Sequence, residues 1–407
     1  MAGPLEGVKV IDVSQVVLGP LATQIMGDMG AEVIKVEPLQ GDITRSIGPR
    51  RSQGMASMFL GCNRNKRSLC LDLKREEGRR VLLRLVESSD VFLHSMRPQA
   101  IQRLGLTYPE LSRVNPKLLY VGCSGYRRDG PYGARPAYDD IIQALSGLTS
   151  LQQHLFGEHL YIPSIICDKT TALSAVANVS MALFHRERSG VGQELEITMF
   201  ETMAAFNLVE HLYGAVFVPT VDQLGYARVL SSERRPYETL DGHIALLPYN
   251  DRQWRQMFGI MGREDLARDP RFETVDGRNA NIHELYRELR MTMRTKTTAE
   301  WLEILADTDL PHARVATLDD LLSDSHLEAI EFWHTVEHPS EGTLRMPGVP
   351  AKLSRTPGTV SRPPPRLGEH SVAVLEAAQF EPFEIESLLR SGVTRQYEDL
   401  PDREEIP

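Results

Sequence analysis

The chain opens on an alternation of apolar blocks and polar breaks. "VKVIDVS" (Val8–Ser14) is apolar and β-branched, as a buried strand is. "VVLGP" follows as a turn, and helical spacing then runs through Leu21–Met29 to a stop at Gly30. "AEVIKVE" (Ala31–Glu37) is a second strand, closed by Pro38. Strand, helix and strand within about thirty residues make a βαβ unit, which implies parallel pairing. The pattern returns as a helix over Gly78–Ser88, a strand over Asp90–Ser95, a short helix over Pro98–Gly105 and a strand over Lys117–Gly125. Arg188–Met203 adds a Gly turn, a strand and the start of a helix. Residues 1–203 therefore predict a large, doubly wound, Rossmann-like α/β domain.

The rhythm then changes. Residues 204–235 read as a linker. Residues 236–325 read as a smaller α/β domain, with a hairpin signal at "DG" (Asp241–Gly242) and mostly helical spacing from Arg252 to Leu322. Strand-like pieces follow from about Glu337. "SRPPPRLGEH" (Ser361–His370) is extended, and two short helices end the chain.

In an open α/β sheet, ligands bind beyond the carboxyl ends of the strands. Ser14, Glu37, Ser95 and Cys123 mark those ends, so the candidate site segments are "QVVLGP", "EPLQGD", "MRPQAIQR" and "SGYRRDGPYG". Glu37 sits where a dinucleotide-binding protein keeps its ribose acid. However, the first turn has no GxGxxG and the chain has no P-loop, which argues against a dehydrogenase.

Charge and cysteine content narrow the classes further. A net charge of −10 argues against a nucleic-acid partner. It leaves room for an anionic small ligand held by a local group of Arg and Lys. No run of about 18 apolar residues predicts a membrane span, and the first ten residues carry no signal-peptide pattern. The four cysteines, Cys62, Cys70, Cys123 and Cys167, have no zinc spacing and read as reduced thiols of a cytoplasmic protein.

One stretch needs a chemical explanation. "YIPSIICDKTTALSAVANVSMAL" (Tyr161–Leu183) is apolar and small, with a bare acid, Asp168, near its start. An Asp there reads first as a helix N-cap. Cys167 beside it has no neighbouring His to act as base and reads as a buried bystander. His154 and His159 read as loop residues.

Several stretches, taken in order, resemble one family over nearly the whole chain. They are "PLEGVKVIDVSQVVLGPLATQIMGDMGAEVIKVEPLQGD", "NRNKRSLCLDLK", "MRPQAIQRLGL", "GYRRDGPY", "AYDDIIQALSG", "DKTTALSAVANVSMALFHRERSGVGQ" and "LGEH". Together they are similar to the class III CoA-transferases, the formyl-CoA and carnitine CoA-transferase superfamily that also holds the α-methylacyl-CoA racemases. The resemblance implies a large and a small α/β domain, with residues 326–407 returning to the large one. It also implies a homodimer of two chains threaded like interlocked rings.

The resemblance implies roles as well. Asp168 matches the family's nucleophilic aspartate, which forms an acyl anhydride and then an aspartyl-CoA thioester. Val16, Leu71, Lys74, Ser95, Met96, Arg97 and Arg103 match positions that line the CoA site. Tyr138 and Asp139 match residues beside the nucleophile, while their reading as ordinary caps of a helix over Ile141–Leu145 stays open. The substrates implied are an acyl-CoA and a small carboxylic acid, with no tightly bound cofactor and no metal. Formyl-CoA transferases have a Gln where this chain has Val17 and a glycine-rich loop that this chain lacks, which points away from oxalate. Arg228, Arg234 and Arg235 are candidate contacts for a second carboxylate. A racemase-like epimerase is the alternative, but Tyr138 stands where racemases keep a His, and a phenol with pKa near 10 is a poor base. A non-catalytic CoA-binding protein is a further alternative.

Overall fold

The structure is a computed structural model in which residues 3–397 are described. It divides into two compact units. The first comprises residues up to Ser146, Ile162–Ala204 and the segment from His326 onward; the second comprises Gly147–Tyr161 and Ala205–Ser325.

The first unit is built on β1 (Lys9–Val13), β2 (Glu32–Glu37), β3 (Lys66–Leu71), β4 (Val91–His94), β5 (Leu119–Ser124) and β6 (Gln193–Thr198). With the late strand Thr394–Arg395 they form one sheet, ordered Thr394–Arg395, β3, β2, β1, β4, β5, β6. Only the late strand runs antiparallel, against β3. The chain begins in the middle of this sheet, builds outward to β3, and restarts on the other side of β1 at β4. The crevice between β1 and β4 is therefore a topological switch point, where such sheets open a ligand site.

Helices α1 (Leu18–Asp28), α2 (Ser57–Cys62), α3 (Glu76–Glu87), α4 (Pro98–Arg103), α5 (Tyr108–Val114), α6 (Asp139–Leu145) and α8 (Ile166–Ser189) belong to this unit, while α7 (Leu148–Phe156) belongs to the second. One sheet face carries Ile11, Ile34, Leu69, Phe92 and Tyr120, packed with α3 residues Val81, Leu82 and Leu85. The late helices Ser371–Ala377 and Pro382–Arg390 complete that core through Val374, Leu375, Ile385 and Leu388.

The opposite face is unusual. Asp12, Lys35, Glu37 and Lys66 on its strands are all 0–1% exposed. They pair internally: Lys66 with Asp12 at 3.0 Å, Lys35 with Asp42 at 3.0 Å and Arg45 with Glu37 at 2.7 Å. Pairing is what makes their burial tolerable. Helix α1 packs against α8.

Four sequence expectations change. Helix α1 starts at Leu18, inside the expected turn, because Pro20 sits in its first turn, where an N–H has no helical partner to lose. "KRSLCL" is a buried strand, second from one edge of the sheet, that the sequence reading passed over, because its inward-facing Lys66 and Ser68 disguise the apolar alternation. His154 lies on helix α7, not in a loop. Asp168 lies in the first turn of α8, whose N-cap position is Ile165.

The second unit has a small antiparallel sheet of β7 (Tyr237–Glu238), β8 (His243–Leu246) and β9 (His312–Arg314). Its core gathers Trp254, Phe258, Leu285, Tyr286 and Trp301. Among the described residues, no helix is long and apolar enough to cross a membrane, and no group of three acidic, His or Cys side chains is placed to hold a metal ion.

Candidate active site

Asp168 stands near the start of α8, but its carboxylate does not cap that helix. The cap comes from α6: Asp139 Oδ2 accepts the backbone N–H of Cys167 at 2.7 Å and of Asp168 at 3.0 Å. Asp139 is 5% exposed, and its other oxygen accepts Gln143 Nε2 at 2.7 Å. Gln143 is itself tied to the segment before α8, since its Oε1 accepts the Ile162 N–H at 2.9 Å. A second acid thus satisfies the helix end, and the Asp168 side chain is left for other work.

Asp168 is partly buried, and among the described residues no cation pairs with it. Burial, and then the nearby Asp139 carboxylate, push its carboxyl up to about 6. The Leu18 N–H, turned toward it, works in the other direction. Leu18 and Gly19 open α1, so their N–H groups lack helical partners, and the positive end of that helix faces the acid.

The turn that leads into α1 is held tightly. Val16 has φ of 72°, a left-handed conformation that costs a β-branched residue energy. Its N–H donates to Asp42 Oδ1 at 3.3 Å. Lys35 Nζ donates to the Ser14 carbonyl at 3.0 Å while pairing with Asp42. The Gln15 N–H donates to Ser95 Oγ at 3.1 Å. Gly19 is required by close approach, because a Cβ there would lie 2.2 Å from Ser14 Oγ.

A cavity of about 240 Å³ opens in front of Asp168, lined by the β1–α1 turn, the Ser95–Pro98 segment after β4, and the Cys123–Tyr126 and Arg135–Tyr138 segments after β5. A groove of about 380 Å³ shares Gln15, Ser95, Met96 and Arg97 with it and reaches Arg103. An uncompensated carboxylate beside helix N–H groups, at the wall of an open cavity with cations along its extension, is arranged to attack an electrophilic carbonyl of an anionic ligand.

The profile of CoA-transferase family III matches residues 5–371. The chain belongs to that family. Among the proteins to which this family III CoA-transferase is similar, the mouse succinyl-CoA:glutarate CoA-transferase is 30% identical over 397 residues, 97% of this chain and 91% of that protein. A probable fatty acyl-CoA transferase of Mycobacterium tuberculosis, Rv3272, is 31% identical over 387 residues, 92% of this chain and 98% of that protein. The crystal structure of Rv3272 in an orthorhombic form superposes with a TM-score of 0.80 at 30% identity, covering 91% of this chain and 99% of that one. The chain is thus an enzyme of the class that moves CoA between acyl-CoA thioesters and carboxylic acids.

In this family III CoA-transferase, Val16, Ser95, Met96, Arg97, Tyr138 and Asp168 line one cavity, and Arg103 lies along the adjoining groove. Asp139 lies behind Asp168, as its cap. Leu71 is 1% exposed in the core, and Lys74 follows β3 in a turn closed by its N–H to Asp72 Oδ1; neither lines the cavity or the groove. All four cysteines are free and buried, and burial pushes Cys167 up to about 12, which leaves it a thiol. The sequence reading missed Lys35, which clamps the Val16 turn, and Arg135, which lines the cavity; Asp42 and Gln15 fall inside its candidate segments "EPLQGD" and "QVVLGP" but were given no role of their own. A Lys inside "EVIKVE" was the available signal, because a cation there requires a buried partner.

Proposed function

We propose that the enzyme transfers CoA from an acyl-CoA to a free carboxylic acid through covalent intermediates on Asp168. The carrying observation is that Asp139 caps α8, so that Asp168 stands at the cavity wall with no cationic partner and an elevated pKa. The Asp168 carboxylate attacks the thioester carbonyl, the C–S bond breaks, and CoA leaves as thiolate from an acyl anhydride. The thiolate then attacks the Asp168 carbonyl and releases the donor acid, leaving an aspartyl-CoA thioester. The acceptor carboxylate repeats the two steps in reverse and regenerates Asp168. In this reading the Leu18 N–H, turned toward Asp168, is the donor available where oxyanion charge would develop.

The groove past Ser95, Met96 and Arg97 to Arg103 is the path we assign to the CoA phosphates. Leu71 and Lys74 keep a role only by resemblance. The acceptor class we favour is a small dicarboxylic acid, supported by the glutarate named for the mouse relative. Residues 326–397 complete the large domain in this reading, the rest of the expected 326–407 segment lying outside the described residues, and the working form is an interlocked homodimer. Leu173, Met181 and Phe184 on α8 support it, each 60% or more exposed on one helix, since monomers seldom leave such apolar side chains together in water.

The test is mass spectrometry of the enzyme after incubation with succinyl-CoA alone. A CoA or succinyl adduct on the peptide containing "SIICDKTT", released by hydroxylamine and absent from Asp168→Asn, is expected. An unmodified peptide from an enzyme that still turns over would remove Asp168 from the chemistry. The racemase reading has no comparable support, because among the described residues no histidine lines the cavity.

A further inference from the structure

The second unit carries a cavity of its own, of about 160 Å³. Its walls include Tyr226, Arg228, Tyr249, Trp254, Arg278 and Tyr286, and among the described residues no Asp or Glu lines it. That is notable on a chain with a net charge of −10.

The two arginines differ. Arg278 is 4% exposed and fully engaged, paired with Asp251 and donating to the carbonyls of Phe272 at 2.9 Å and Glu273 at 3.1 Å. Arg228 is engaged by phenols: its Nε donates to Tyr286 Oη at 2.9 Å, it bonds Tyr226 as well, and its guanidinium carbon lies 4.7 Å from the Tyr249 ring centroid. None of these partners is a carboxylate. Two phenols occupy only part of a guanidinium's five donors. The neighbouring candidates behave otherwise: Arg235 folds onto the Ser232 carbonyl at 2.9 Å, and both Arg234 and Arg235 are exposed.

We propose that this cavity is a binding site for a small carboxylate anion with an apolar body. The carboxylate pairs with the Arg228 guanidinium, and the body lies against the aromatic walls at Tyr249 and Trp254. The chemistry of each part points the same way. A guanidinium matches a carboxylate in a two-point fork. Phenol and indole walls suit a short apolar body rather than a hydrated phosphate. The proposal concerns the second unit alone and stands whether or not Asp168 is the nucleophile.

The experiment titrates sodium benzoate, with benzamide as the uncharged control, into the full-length enzyme saturated with CoA, followed by isothermal calorimetry. Benzoate should bind saturably and benzamide should not. Arg228→Gln should weaken benzoate by roughly tenfold or more, the scale of a lost charge-assisted bond, and Arg228→Lys should recover part of it. Asp168→Asn should bind benzoate as the wild type does, which separates this site from the catalytic one. If Arg228→Gln does not fold by circular dichroism, a substitution at Tyr249, a residue 64% exposed, takes its place: Tyr249→Ala carries the same expected loss. No saturable binding, equal binding of benzamide, or unchanged affinity in Arg228→Gln would each overturn the proposal.

Discussion

Asp139 holds the backbone N–H groups of Cys167 and Asp168 on one carboxylate oxygen, and by doing so releases the Asp168 side chain from capping its own helix. Two acids thus share one helix start with different tasks. One is buried and satisfied by three N–H donors. The other is partly buried, faces a cavity and is raised by the first.

The division predicts an inverted stability effect at Asp168. A carboxyl raised from its ordinary value to about 6 binds its proton more tightly in the folded state. That contribution is fully present below the unfolded pKa and is lost as pH rises through about 6. Asp168→Asn removes the cost of the buried charge, so at pH 8 the variant should be about 1–2 kcal/mol more stable than wild type, with little difference at pH 4. Denaturant melts at the two pH values check this. A loss of stability at pH 8 would return Asp168 to the role of a cap.

Activity should show the same titration. The nucleophile must be ionised, so kcat/KM for acyl-CoA should rise with pH through about 6 and then level off. Asp139→Asn removes the neighbouring charge that helps to raise Asp168, so the acid limb should move to lower pH. That variant should also lose about 1.5–3 kcal/mol of stability, because one amide oxygen cannot replace a carboxylate that accepts three N–H groups. An acid limb unmoved by Asp139→Asn would assign it to another group.

The Val16 turn should be sensitive to residues that never reach the cavity. Asp42→Asn leaves Lys35 buried without its ion partner and weakens the bond that holds the Val16 N–H. A loss of about 3–5 kcal/mol is expected. At temperatures where the variant remains folded, kcat should fall more than CoA affinity does. Equal losses in kcat and CoA affinity would mean general disruption rather than a misplaced turn.

CoA binding should depend on the exposed cations of the groove. Arg103→Ala should weaken CoA by about 1–3 kcal/mol at low salt, and the loss should shrink as salt rises, since Arg103 is exposed. Calorimetry at two ionic strengths measures both. Unchanged affinity at low salt would take Arg103 out of the CoA path.

Proton chemistry at the α-carbon should be absent. A 2-methylacyl-CoA incubated with enzyme in deuterated water should gain no deuterium, because the aligned side chain, Tyr138, is a phenol 67% exposed to water. Rapid incorporation detected by mass spectrometry would favour the epimerase.

Local pattern in the sequence was sufficient for some of this. β1, β2, β4 and β5 announce themselves as β-branched runs, and their βαβ spacing dictates a parallel sheet with its site at the strand ends. The ordered motifs, read by resemblance, single out Asp168, Ser95, Arg97 and Arg103. What the sequence could not carry depends on partners far apart in the chain. β3 hides because Lys66 looks like a surface residue until Asp12, 54 residues earlier, neutralises it. Asp168 reads as a cap until α6 brings Asp139, 29 residues earlier, onto the same N–H groups. Leu71 and Lys74 follow the family pattern in sequence, yet one is sealed in the core and the other lies in a turn away from the cavity. A residue's own neighbours set its backbone propensity. Whether its charge is paired, its helix capped or its side chain exposed is decided by groups that only the folded chain brings within about 3 Å.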